Sequence, residues 1–259
     1  MGSIAPLELR GLGKRFGRLA VLRGIDLRVV PGEIVGLLGA NGCGKTTLLS
    51  IAAGLLPPSV GERCYGPAAV AELDLAARMK LAYVAHATQL YGRLSARENL
   101  ELPASLRAVA GEREHVAPDE LLERVGLAHA ATRMAGTFSR GMQQRLAIAR
   151  ALLGRPELLL LDEPFTALDH AGRQTLGRVL VQERDRGAAI LLSSHDLDAV
   201  AEFSDRAVAM GDGRIVGEAR RDDDAGGPDY GARIRRLGVG PEQRLADAVG
   251  EGGVIQPWT

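Results

Sequence analysis

Leu37-Leu38-Gly39-Ala40-Asn41-Gly42-Cys43-Gly44-Lys45-Thr46-Thr47-Leu48-Leu49-Ser50 is the stretch from which the rest of the chain can be read. Residues 39–46 have the spacing G-x-x-x-x-G-K-[ST] of a phosphate-binding loop. The apolar run 34–38 ahead of it reads as a buried parallel strand, and residues 46–53 read as a helix. The glycines allow the backbone to curl so that successive N–H groups converge on a phosphate. The N-terminus of the helix adds partial positive charge. In this arrangement Lys45 reaches the β- and γ-phosphates, and the Thr46 hydroxyl completes the shell of a Mg²⁺ ion.

A chain of 259 residues suits one large domain, or one domain with subdomains, and can bury a substantial core. The apolar and charged fractions, 46% and 25%, are those of an ordinary globular protein. Formal net charge is zero, so bulk electrostatics favour neither nucleic acid nor an anionic membrane, and no nucleic-acid partner is expected. Lysine occurs only at positions 14, 45 and 80, which makes its retention inside the phosphate loop more informative. Cys43 and Cys64 form neither a metal spacing nor a disulfide framework, and a reducing compartment is the natural reading. No signal peptide and no run approaching 18 apolar residues is present. Any work at a membrane is therefore expected to pass through a partner.

Outward from the phosphate loop, residues 7–30 alternate apolar and polar side chains between glycine punctuation, the pattern of short antiparallel strands. Phe16 stands in a turn there, one of few aromatic residues in the chain. Residues 81–84 form a further strand, leading into a loop that contains His86. Ser95 and Glu98 have capping-box spacing, Pro118 opens another helix, and Met142, Leu146, Ala149 and Leu153 mark the apolar face of a third. Residues 95–153 thus read as a helical block inserted into an α/β unit. Strands at 158–161 and 188–192 flank a helix over 173–186. Past Val216 the pattern fades, the run 220–228 is charged, and only 241–249 carries a weak helical hint.

Two acids, Asp162 and Glu163, stand directly after the four leucines 158–161. Beside a phosphate loop, Asp162 can hold the Mg²⁺ shell, and Glu163 can orient and polarise the water attacking a γ-phosphate. His195 ends its own strand, at the sheet edge where open parallel sheets bind ligands. From there it can hydrogen-bond the γ-phosphate and keep Glu163 in register.

Taken together these motifs resemble the ATP-binding subunit of ABC transporters over roughly residues 6–217. The resemblance matches Gly39, Ala40, Asn41, Gly42, Cys43, Gly44, Lys45, Thr46 and Thr47 to the Walker A loop, and residues 158–163 to the Walker B strand with its catalytic glutamate. It matches Phe16 to the A-loop aromatic that stacks on adenine, residues 166–169 to the D-loop and His195 to the switch histidine. Residues 138–142 match the signature loop, with Arg140 and Met142 departing from its commonest form. The implied fold is a P-loop NTPase (RecA-like) core with an antiparallel β subdomain and an inserted α-helical subdomain. The ATPase domain would span 1–217, with the helical subdomain at about 92–153 and a flexible or loosely docked tail over 218–259. The implied cofactors are ATP and Mg²⁺.

The resemblance further implies a homodimer or paired ATPase subunit, in which Ser139 and Gly141 of one copy face the γ-phosphate held by the other. Integral membrane transporter subunits are the implied partners, which places the chain in the cytoplasm, peripheral on the inner face of the cell membrane. A sharper departure is His86, which occupies the Q-loop place where glutamine is usual and which can join the Mg²⁺ site. A histidine there is similar to the haem-exporter branch of cytochrome c biogenesis, the CcmA type. Drug, lipid or polysaccharide exporters are the alternative cargo classes, and a soluble ATPase of iron–sulfur assembly or repair is the alternative of another kind.

Overall fold

The computed structural model describes residues 3–67, 69, 71–111, 115–223 and 229–238. Strands β1 (Leu7–Phe16) and β2 (Leu19–Val29) form an antiparallel hairpin, from Leu7 opposite Val29 to Phe16 opposite Leu19. Strand β3 (Glu33–Leu38) runs into the phosphate loop and helix α1 (Lys45–Ala52). Strand β4 (Val60–Tyr65) then returns to the free edge of β1, giving a small antiparallel sheet of order β2-β1-β4. A short helix α2 (Leu75–Arg78) precedes β5 (Leu81–Val84).

The helical block follows as α3 (Ala96–Val109), α4 (Pro118–Arg124) and α5 (Arg140–Ala151). Ser95 and Glu98 cap α3 reciprocally: Ser95 Oγ accepts from the Glu98 N–H, and the Glu98 carboxylate accepts from the Ser95 N–H. The chain then builds β6 (Leu158–Asp162), α6 (His170–Asp185), β7 (Ala189–Ser193), α7 (Leu197–Phe203) and the hairpin β8 (Arg206–Gly211) and β9 (Arg214–Arg220). The second sheet has the order β5-β6-β7-β3-β8-β9 and is parallel except for the β8–β9 pair.

Alternation along the central strands divides the core in two. Leu158 and Leu160 pack with the β1–β2 hairpin and α1, while Leu159 and Leu161 pack with the helical block, α6 and α7. Both faces of the sheet are covered, so its strands read as continuous apolar runs rather than alternating ones. The α/β fold with an antiparallel subdomain and an inserted helical block is the architecture observed. The block is anchored to the core by Arg124, whose guanidinium lies 2.5 Å from the buried Glu183 carboxylate of α6.

Three regions differ from the sequence reading. Strand β4 carries few apolar side chains (Val60 to Tyr65 is VGERCY), and its pairing with β1 supplies what its pattern does not. Residues 197–216, to which the sequence pattern assigns no element, build α7, β8 and the start of β9. The expected boundary at 217 falls inside β9, and helix α8 (Tyr230–Gly238) docks beyond it by burying Tyr230 and Ile234. The Tyr230 hydroxyl shares a 2.8 Å hydrogen bond with Ser204 Oγ, and burial pushes its pKa up to about 12, so it stays neutral. The helical hint at 241–249 lies outside the described residues.

Candidate functional site

The parallel strands deliver their carboxyl ends to one edge, and a cavity of about 560 Å³ opens there. Gly39, Ala40, Asn41, Gly42, Gly44, Lys45, Thr46 and Thr47 form its loop wall, and His86, Asp162, Glu163 and His195 also line it. The loop needs its glycines. Gly44 has φ +108°, and a Cβ there would sit 2.7 Å from Leu22 Cδ2. Gly39 has φ +150°, and a Cβ there would meet the Met210 carbonyl oxygen at 2.5 Å.

Lys45 is buried, and its Nζ donates to the Gly39 and Ala40 carbonyls at 2.7 and 3.2 Å. The ammonium therefore closes the loop on itself while standing 3.9 Å from Glu163 Oε1. The Thr46 hydroxyl donates to Asp162 Oδ2 at 2.8 Å, across the gap between α1 and β6. Asp162 is only 2% exposed, and its other oxygen accepts from Ser193 Oγ at 2.6 Å. His195 holds Glu163 twice: its backbone N–H donates to Oε2 at 3.2 Å, and its ring Nδ1 lies 2.7 Å from the same oxygen.

These contacts allow a test of whether a hard cation fits. Mg²⁺ takes oxygen donors and tolerates few protein ligands. A nearly buried carboxylate and a hydroxyl, already converged to hydrogen-bond distance on the loop side of the cavity, are a donor set of that kind. Thr46 and Asp162 fit the ion, and His86 lines the same cavity.

The protein-family model described as "ABC transporter" matches residues 22–166. The chain belongs to the ABC transporter family. It is an ATP-binding subunit of ABC type, an ATPase with ATP and Mg²⁺ as its cofactors. It is 39% identical over 212 residues to the aliphatic sulfonates import ATP-binding protein of Xanthomonas axonopodis pv. citri, covering 81% of this chain and 82% of that one. It is 37% identical over 219 residues to a lipoprotein-releasing system ATP-binding protein of Caulobacter vibrioides, covering 81% and 96%. Among solved structures it is similar to a dimeric post-hydrolysis state of an ATP-binding cassette bound to ADP and Pi. That match has a TM-score of 0.72 and 27% identity, and covers 83% of this chain and 98% of the other.

Within this ABC subunit the remaining sequence-derived site residues fall in different places. Phe16 ends β1 as a strand residue rather than lying in a turn; it is 49% exposed, with Lys14 Nζ 5.2 Å from its ring centre. It does not line the cavity, and Val21 of β2 does. Cys43 is not part of the lining; a Cβ on Gly39 would lie 2.7 Å from its Sγ. Ser139 caps α5, its Oγ accepting from the Met142 N–H at 3.3 Å, and neither it nor Gly141 lines the 560 Å³ cavity. Gly141 is pressed against the D-loop, where a Cβ would stand 2.7 Å from the Ala167 carbonyl oxygen.

His86 has a further position. It lines both the nucleotide-side cavity and a second one of about 470 Å³ that reaches Arg140 and Gln144 of α5. The loop after it is tied down from the helical block: Arg150 donates to the Thr88 and Gln89 carbonyls, and the buried Asn99 exchanges hydrogen bonds with the Tyr91 backbone. Two lining or supporting residues escaped the sequence reading, namely Val21 and Ser193, while Thr166, matched there to the D-loop, proves to line the cavity as well. Only Ser193 had a usable signal, since it ends a strand two residues before His195.

Proposed function

We propose that this chain hydrolyses ATP as one half of a head-to-tail pair and thereby powers a separate membrane exporter. The observation that carries the reading is the division of labour at Glu163. Oε2 is held twice by His195, which leaves Oε1 on the cavity side near Lys45. A carboxylate fixed at one oxygen and open at the other is built to accept a proton.

In this reading the loop N–H groups and Lys45 bind and orient the triphosphate, and Thr46 and Asp162 hold Mg²⁺. The ion, when bound, offsets negative charge on the phosphate oxygens. Glu163 Oε1 takes the proton of the attacking water, and His195 keeps the carboxylate aimed. Asp162 stays out of proton transfer because Ser193 and Thr46 occupy both its oxygens. Phe16 and Val21 lie on the hairpin side, where the base would rest.

The pairing proposal is supported by Ser139, exposed at a helix N-terminus yet outside its own chain's cavity. Such an N-terminus favours an anion, which a second copy would present. The ATPase domain of this reading, expected over 1–217, extends to the end of β9 at Arg220, with the helical subdomain at about 92–153 and α8 as the docked part of the segment expected as a tail over 218–259. Among the described residues no helix is long and apolar enough to cross a membrane, and in this reading, by family, integral membrane subunits carry the transport path. That assignment places the chain at the cytoplasmic face.

For the cargo, haem export in cytochrome c biogenesis rests on His86 at the Q-loop place. Of the alternative drug, lipid or polysaccharide exporters, the lipoprotein-releasing relative favours lipid-linked cargo as the second reading, whereas the sulfonate relative is named for import. Replacement Glu163→Gln tests the core of the proposal. ATP turnover should fall at least ~10²-fold while ATP still drives a stable dimer, seen by size-exclusion chromatography with light scattering. Unchanged turnover would remove Glu163 from this role.

A further inference from the structure

Strands β6 and β7 pair in a register that sets Asp162 beside Ser193. Ser193 is fully buried, and its one hydroxyl is used in both directions. It donates to Asp162 Oδ1 at 2.6 Å and accepts the Glu163 N–H at 2.9 Å. Both acids of the site are therefore fixed by a single oxygen atom.

The second bond falls at a demanding point of the backbone. Glu163 has φ +54°, a left-handed conformation that a residue with a long side chain adopts only when its surroundings hold it there. That turn swings the Glu163 side chain off the strand path toward His195 and Lys45. Without an acceptor for its N–H, the turn would lose the partner that fixes it. The first bond occupies Oδ1 of Asp162, so that Oδ2 is the oxygen left to meet Thr46.

We propose that Ser193 is a positioning residue for hydrolysis, a two-way clamp that orients Asp162 toward Thr46 and holds the backbone turn presenting Glu163. Ser193 does not line the cavity and touches no reacting atom; it acts through the two acids. The inference rests on the reading of Glu163 as the proton acceptor.

The test uses the full chain, with ATP and Mg²⁺, and compares Ser193→Ala with Ser193→Thr. Ser193→Ala should lower kcat by about 10- to 100-fold and leave KM for ATP within about threefold, since the interaction matters for the reacting geometry rather than for binding. Ser193→Thr keeps a hydroxyl on a β-branched side chain suited to a strand, and should recover most of kcat. Combined with Glu163→Gln, Ser193→Ala should cost little more, because residues acting through one another are not additive.

Full multiplication of the two losses would overturn the proposal, as would a Ser193→Ala enzyme with wild-type kcat. So would an alanine variant whose loss appears only in KM. If the alanine variant does not fold by circular dichroism, Ser193→Cys is read in the same way; its weak thiol donor should give an intermediate loss in kcat, and wild-type kcat would refute the clamp. A Glu163→Gln enzyme that turns over normally would instead indict the reading of Glu163, whatever Ser193 does.

Discussion

The rim of the nucleotide-side cavity and the turn at Ser139 are built in opposite ways. Around the rim, Thr46, Asp162, Ser193, Glu163 and His195 form an unbroken chain of hydrogen bonds drawn from α1, β6 and the end of β7. That chain is complete within a single copy. The Ser139 turn is held instead by its own helix cap, by the buried ring of Phe138 and by the packing of Gly141 against Ala167 and Leu168. Its serine is exposed and its neighbour Arg140 points to the second cavity's wall, not to the nucleotide side. A preorganised half-site and an open one within one chain are what a sandwich between two copies requires. In the proposed reading the first would grip its ligand alone, and the second would acquire a ligand only when another molecule brings it.

The largest expected effect breaks the first half alone. Lys45→Ala removes a buried ammonium aimed at the loop, and nucleotide affinity of the isolated monomer, measured by calorimetry, should fall about 10²-fold, the scale of losing a charge-assisted contact. Tight binding to this variant would mean that the loop is not the phosphate grip.

Next come two substitutions that break only the second half. Ser139→Ala removes the cap of α5 and should cost about 1 kcal/mol of stability in a denaturation curve. Ser139→Asp retains a capping oxygen and so should keep that stability, yet its carboxylate would repel an incoming triphosphate. ATP-dependent dimerisation should therefore be lost in Ser139→Asp while monomer affinity for ATP holds. A fall in monomer affinity would show that the two halves are not separate.

The smallest effect belongs to the seam between them. His86 touches both cavities, and its loop is tied to the helical block through Arg150 and Asn99. His86→Gln should change basal ATPase by only a few-fold but alter its stimulation by the membrane partner. Complete loss of ATPase would move His86 into the chemistry itself.

Much of the site was legible before any coordinates, because its parts are local. A Gly-rich loop ending in Lys45-Thr46, acids after four leucines and a histidine after an apolar run are each written in a few consecutive residues. Val21 is less legible because nothing near it in sequence marks it, and Ser193 carries only its place at a strand end before His195; each acquires its role from a strand pairing or a hairpin packing. Strand β4 was missed for the same reason, since its residues earn a strand only from the free edge of β1. Helix α8 escaped through its composition: six of its nine residues are glycine, alanine or arginine, which hides the two anchors, Tyr230 and Ile234, that dock it.

The amino-acid order by itself determined which segments are buried strands, where the phosphate loop and its helix begin, and which acids and histidine end strands, because these depend on apolar periodicity and on spacings of a few residues. Only the tertiary structure decided that β3 lies between β7 and β8, that Asp162 stands beside Ser193, and that Ser139 looks away from its own cavity. Those outcomes depend on which distant strands share hydrogen bonds and which faces are covered, and no local pattern encodes the choice among pairings of similarly apolar strands.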